Sequence, residues 1–170
     1  MAETMMTNAE RDALRQRPGF APGYGVEANP EGMLGWVWVD ERMRVARNYW
    51  VATTAADGRA QVAPVWGVWF DNTFFFGTGV TSRKGRNLAR DPRLSINLES
   101  GDEVVILEGV AEPLTDPALF ARYVDTYDAK YAIRPESADG GTFFVRPRRV
   151  FAWLEHDFLQ TPTRWTFGGC

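Results

Sequence analysis

FFFGTGVTSRKGRNLARDPRLSINLE, residues 74–99, sets an apolar run, a short basic segment and a second apolar run side by side. The stretch FFFGTG reads as a short, fully apolar strand, and LSINLES as another. Between them TSRKGRNLARDPR reads as one short helix, capped by Thr81 or Ser82 and stopped by Asp91-Pro92. Arg83, Lys84, Arg86, Arg90 and Arg93 stand here against Asp91 alone, although the whole chain carries a formal net charge of −3. Arg83, Lys84 and Arg86 fall in the first turn, where the backbone dipole is positive and acidic residues are preferred. An anion seated at the helix start makes this placement favourable, because free backbone N–H groups, the dipole and the side-chain cations then act together. Ser82 adds a hydroxyl donor there, and Thr78 at the end of the preceding strand adds another. A phosphate monoester suits such a place better than a carboxylate, since it carries more charge and more acceptor oxygens. The other reading is a solvated basic face that pairs with acids elsewhere.

Outward from this stretch, strand signals dominate. YWVATTA reads as a strand, ADGR carries the Asp-Gly hairpin signal, and AQVAPVWGVWF reads as one longer strand ending at the DNT turn. Pro64 and Gly67 interrupt that strand and can leave backbone groups free for a ligand. Trp66 and Trp69 can stack on a planar ring, or serve as core. LSINLES and EVVILEGVAEPL form a second hairpin across Gly101-Asp102. WVWVDERMRVARN has apolar spacing at Trp36, Val39 and Met43, which predicts a helix. DPALFARYVDTYDAKYA predicts a longer one, started by Asp116-Pro117 and apolar along Leu119, Tyr123 and Tyr127. RPESADGG reads as a loop, and TFFVRP, RRVFAWLEH and TRWTF as short strand-like pieces. Residues 1–35, rich in Gly and Pro, read as an N-terminal arm, and residues 36–170 as one folded domain. No helix regularly separates the strands. The fold class is therefore mainly β (α+β), an antiparallel barrel, closed or half-closed, with helices flanking it.

Composition narrows the chemistry. With 45% hydrophobic and 24% charged residues the chain is of ordinary globular character, and its mild acidity argues against nucleic acid as a partner. No apolar run reaches the length of a membrane span, and MAETMMTNAERDALRQRPG shows no export signal, so a cytoplasmic protein is expected. The lone cysteine, Cys170, leaves no intramolecular disulfide. His156 is the one histidine, so no metal site of familiar spacing is expected. A Ser-His-Asp triad would have to use His156, and no Gly-x-Ser-x-Gly element supports it. There is no Walker loop and no Gly-x-Gly-x-x-Gly. With 7 Trp, 11 Phe and 5 Tyr, a borrowed organic cofactor is the better expectation for an enzyme.

Over about residues 36–168 the sequence resembles the pyridoxamine 5'-phosphate oxidase-like superfamily, flavin and deazaflavin oxidoreductases built on a split β-barrel. The resemblance rests on VATTAADGRAQVAPVWGVWF, on FFFGTGVTSRKGRNLARDPRLSINLE, on EVVILEGVAE, and on RRVFAWLEH with TRWTF. It implies an antiparallel split β-barrel of Greek-key type, with the phosphate of the cofactor gripped by Arg83 and Lys84 beside Ser82, Thr78 and Asn87. It also implies that the backbone of Val62, Ala63, Pro64, Val65, Trp66 and Gly67 lies along the cofactor ring. Trp153 and Arg164 match C-terminal residues that approach the cofactor, in relatives often from the second subunit, which implies a homodimer with cofactor sites at the interface. Arg146, Arg148 and Arg149 can border the substrate opening. The vitamer-oxidising members carry a C-terminal Arg-x-His pair that EHDFLQTPTRWTF lacks, so true pyridoxamine-phosphate oxidase activity is not expected. PVWGVW and SRKGRNLA are closer to the smaller branch that uses the deazaflavin coenzyme F420, with FMN as the alternative. The expected activity is hydride transfer to or from a small unsaturated or quinone-like molecule. Tyr49 or a water is a candidate proton source, and no catalytic residue is singled out. A non-catalytic flavin, haem or tetrapyrrole carrier is the competing expectation.

Overall fold

The computed structural model describes residues 6–136 and 141–168. The chain runs through helix α1 (Asn8–Asp12), strand β1 (Arg15–Gln16), helix α2 (Trp36–Val45), then β2 (Tyr49–Thr54), β3 (Ala60–Val65), β4 (Gly67–Phe70) and β5 (Thr73–Gly77). Helix α3 (Arg83–Arg90), β6 (Arg93–Asn97), β7 (Glu103–Pro113), α4 (Pro117–Tyr131), β8 (Thr142–Leu154) and β9 (Thr163–Thr166) follow. Every strand pair is antiparallel, and the ladder runs β4-β5-β8-β7-β6-β2-β3, with β9 and β1 added along the other half of β8. No ladder joins β3 to β4, which are consecutive in the chain, so the barrel is split there rather than closed. The architecture is a mainly β, antiparallel split barrel with flanking helices.

Local chemistry accounts for most of these elements. Gly58 takes a positive φ in the β2–β3 hairpin, and Asp71 and Asn72 both do so between β4 and β5, as a tight turn there requires. Asp116 caps α4 by accepting from the Leu119 amide at 2.9 Å, with Pro117 at the first helical position. Trp36, Val39 and Met43, the apolar positions of α2, are all buried in the barrel core with Tyr49, Phe74, Phe76, Ile96 and Trp165. A second core forms where Tyr123, Val124 and Tyr131 of α4 pack on Val68, Phe70 and Phe75.

Two strand readings need correction. AQVAPVWGVWF is not one strand. It breaks at Trp66, and at Gly67, where β4 begins, side chains hold the peptide: its N–H donates to the Tyr131 hydroxyl at 3.0 Å and its carbonyl accepts from Lys130 Nζ at 3.0 Å. A Cβ on Gly67 would lie 2.4 Å from the Phe74 ring, so glycine is required at this corner. In contrast, TFFVRP and RRVFAWLEH join into the single strand β8, which passes Pro147 through a register shift opposite Glu108 and Gly109. The arm is tied to the barrel at several points. Asp12 Oδ1 accepts from the Trp36 amide at 2.6 Å, capping α2, and Arg17 donates to the carbonyls of Asn29, Gln160, Pro162 and Glu31. Part of the RPESADGG loop, residues 137–140, and Cys170 lie outside the described residues.

Lys130 is half-buried at the split with no carboxylate partner among the described residues; its Nζ also donates to the Tyr49 hydroxyl at 2.8 Å. Burial, with help from the nearby Arg47 charge, pushes its pKa down to about 8. Because the unfolded chain then binds the extra proton above that value, stability rises with pH between about 8 and the ordinary lysine value of 10.5. Denaturant unfolding across this window is expected to show that rise, and a shallower one in Lys130→Met. An equal slope in both proteins would contradict the assignment.

Candidate functional site

Helix α3 begins against the end of β5. Ser82 is its N-cap, with extended backbone, and its Oγ accepts from the Gly85 amide at 3.0 Å while sharing a 3.1 Å hydrogen bond with Thr78 Oγ1. Thr78 is in turn fixed by its amide, which donates to the Gly141 carbonyl at 2.7 Å. The first intrahelical bond runs from the Arg86 amide to the Ser82 carbonyl, so the amides of Arg83 and Lys84 precede it and lack helical acceptors. Gly85 lets the helix sit directly on the preceding loop: a Cβ there would fall 2.4 Å from the Gly79 carbonyl oxygen and 2.7 Å from that of Val80.

The cations of this region are not matched by acids. Arg93 pairs with Asp91 at 2.7 Å, but Arg83, Lys84, Arg86 and Arg90 form no ion pair among the described residues. Arg86 donates to the Thr81 carbonyl, and Arg90 to the Thr54 carbonyl at 2.6 Å, so backbone oxygens and not carboxylates hold these two guanidinium groups. Lys84 is half-buried, and that desolvation lowers its pKa. Arg83, Arg86 and Arg90, spaced to share one helix face, border a cleft of about 370 Å³ together with Arg59, Gln61 and Asn87. The side chain of Asn87 is buried, donating to Thr53 Oγ1 at 3.0 Å and Gln61 Oε1 at 2.9 Å, which pins α3 to the β2–β3 hairpin. Arg59 and Gln61 were not among the sequence-predicted site residues, and Arg86 and Arg90 were read only as part of the basic helix. The three-and-four spacing along α3 was the available signal for the last two.

The remaining predicted residues fall in two places. Strand β3 pairs only with β2, so its outer edge is free of a ladder beside the cleft. Val62 and Pro64 are exposed along it, Ala63 is half-buried and Val65 is buried. Trp66 is stacked on Tyr131, with ring centroids 4.8 Å apart and planes within 6°, and Gly67 is the gripped corner residue. Trp153 and Arg164 lie elsewhere. Thr142, at the start of β8, pairs with Gly77 beside the α3 cradle, and Trp153 is further down the same strand by ~36 Å of extended backbone. Arg164 donates to Gln16 Oε1 at 2.8 Å. One chain does not bring these two to the start of α3. Tyr49 is fully buried, its hydroxyl donating to the Met43 carbonyl, and burial raises its pKa, so it is no proton source for the cleft. His156 stands exposed in a short 3-10 turn, with no serine bonded to it among the described residues. Among the described residues no cluster of three or more His, Cys, Asp or Glu is arranged to hold a metal, and no helix is long and apolar enough to cross a membrane.

The pyridoxamine 5'-phosphate oxidase family model matches residues 39–154, which spans β2 through β8 and all of α3. The chain belongs to that family. Among solved structures, a conserved hypothetical protein from Mycobacterium tuberculosis is 26% identical, with a TM-score of 0.64 over 85% of this chain and 98% of that one. An F420 reductase is 22% identical, with a TM-score of 0.51 over 72% of this chain and 98% of its own. A heme storage protein from Vibrio cholerae is 19% identical, with a TM-score of 0.54 over 67% and 91%. At the identities of the last two, the likeness is one of fold. No curated protein matches the chain. Within this family member, the seat of α3 on its loop is the feature most sensitive to substitution. Gly85→Ala is expected to cost about 1–3 kcal/mol in denaturant unfolding, since the contacts are backbone oxygens that cannot move aside; unchanged stability would show the loop to be yielding.

Proposed function

We propose that the chain is an oxidoreductase that binds a phosphate-bearing flavin-type cofactor, coenzyme F420 in preference to FMN, and exchanges hydride with a small unsaturated or quinone-like molecule. The observation that carries this reading is the start of α3. Three cations of the first turn, two amides without helical acceptors and two hydroxyls meet there, and none of the three cations forms an ion pair among the described residues. Such a group of donors fits a phosphate. The ladder-free edge of β3 beside it offers backbone groups to a planar ring. When bound, the cofactor supplies the hydride chemistry, and the chain's residues anchor, orient and desolvate it. The cleft favours F420 because Arg83, Arg86 and Arg90 continue along α3 past the phosphate seat. The deazaflavin coenzyme carries carboxylates beyond its phosphate, whereas FMN ends there. A carrier of flavin or haem is the second reading, favoured by the fold shared with a heme storage protein.

Titration of the purified protein with F420 and with FMN, followed by fluorescence, is expected to show tighter binding of F420. Arg83→Ala and Lys84→Ala should each weaken it by about 1.5–3 kcal/mol, the range for a lost charge-assisted hydrogen bond. Unaltered affinity in both variants would place the phosphate elsewhere. Binding without turnover of the reduced cofactor by any quinone would favour the carrier.

A homodimer goes with the same reading. One register row crosses the outer face of the sheet from Pro64 through Trp50, Asn97, Ile106 and Phe151 to Arg164. Trp50 is 40% exposed within it. Arg164 stands about 24 Å across the sheet from Pro64, five strand spacings away. A two-fold axis through the middle of that row would lay Arg164 of one protomer over Pro64 of the other, with the apolar row covered. Sedimentation should give about twice the 19.2 kDa chain mass, and Trp50→Glu should shift it to the monomer. A monomeric wild-type protein would remove this part of the proposal.

A further inference from the structure

The register shift in β8 has a chemical result. Glu108 pairs with Arg149 and Gly109 with Pro147, so Arg148 is the extra, bulged residue between them. Bulges of this kind re-aim a side chain. Along β8 the buried positions are Phe143 and Val145 before the bulge and Val150 and Ala152 after it, so the alternation changes phase there. As a result Arg148 and Arg149, adjacent in sequence, are both exposed and line one cleft. The geometry that permits this is tight: a Cβ on Gly109 would sit 2.6 Å from Val145 Cγ1 and 2.8 Å from the Arg146 carbonyl oxygen. The bulge is also buttressed, because the Arg148 carbonyl accepts from the Phe167 amide at 2.9 Å.

The cleft encloses about 710 Å³ on the outer face of the sheet and meets the arginine cleft of α3 at Ala60, which borders both. Its lining is apolar at Ala52, Leu94, Val110 and Phe167, beside Thr53, Thr54 and Ser95. Its charged groups are paired with one exception. Arg93 is held by Asp91 at 2.7 Å and Arg149 by Glu108 at 3.1 Å, while Arg148 has no ion pair or side-chain hydrogen bond among the described residues. One guanidinium beside apolar lining residues presents a planar fork to a single anionic group. The cations and amides at α3 suit a phosphate, but a lone arginine suits a carboxylate.

We infer that Arg148 is the specificity-determining residue of a substrate site in this cleft, and that the substrate is a flat, apolar molecule bearing one carboxylate. This rests on the reading of the α3 cleft as the cofactor site. Binding of 2-naphthoate, followed by its own fluorescence, tests it against the neutral 2-naphthamide. Wild-type protein is expected to bind naphthoate saturably. Arg148→Ala should weaken that binding about tenfold to a hundredfold, Arg148→Lys should restore part of it, and naphthamide affinity should not change. F420 titrated into the same variants should bind as in the wild type, which shows the fold and the cofactor cleft to be intact. Absent naphthoate binding in the wild type, or equal affinity in Arg148→Ala, would overturn the inference. Loss of F420 binding by the wild-type protein would instead overturn the cofactor reading, with the naphthoate result standing by itself.

Discussion

Positive charge held at the positive end of a helix is unfavourable unless something negative arrives, and the start of α3 is built with that imbalance. An acid at the first turn would relieve it for a few tenths of a kcal/mol up to about 1 kcal/mol. Instead Arg83, Lys84 and Arg86 form no ion pair among the described residues, although Asp91 at the far end of the same helix is used to hold Arg93. Elsewhere the chain pairs its arginines readily: Arg42 with Glu103, Arg122 with Asp71 and Arg134 with Asp125. The run of cations without contact ion pairs along α3, among the described residues, is what supports reading it as a ligand seat rather than a solvated surface. Rigidity supports the same conclusion. Ser82, Thr78, Gly85 and Asn87 fix the helix start to the loop, to β5 and to the β2–β3 hairpin before any ligand is present.

The barrel's split serves the site as well. If β3 paired with β4, its outer edge would be consumed by a ladder. The corner at Trp66 and Gly67 prevents this, and the side chains of α4 satisfy the Gly67 peptide that the break leaves over. Trp66 then lies on Tyr131 with Arg47 near both rings, so the corner is braced by aromatic and cation contacts. The outer face of the sheet then carries two adjacent rows, the one proposed to meet a second copy and the one that holds the Arg148 cleft.

Most of what the sequence made legible is local. The Ser82 cap, the Asp57-Gly58 hairpin, the Asp116-Pro117 helix start and the Trp36, Val39, Met43 face are each written within a few neighbouring residues. What escaped is long-range. The break at Trp66 depends on Tyr131 and Lys130, some sixty residues later. The arm's attachment depends on Arg17 reaching carbonyls near residues 160 and 162. Pro147 reads locally as a strand breaker, yet β8 continues through it because Gly109 on the facing strand admits a bulge. Trp153 and Arg164 were named through family resemblance, and a single chain places them far from the α3 cradle. The proposed homodimer is the arrangement that would bring the two together.

The most direct measurement is a crystal structure of the protein with coenzyme F420 bound. The account predicts the phosphate at the N-terminus of α3, within hydrogen-bonding distance of Ser82, Arg83 and Lys84. A phosphate located elsewhere, with those cations turned onto carboxylates of the protein itself, would contradict it.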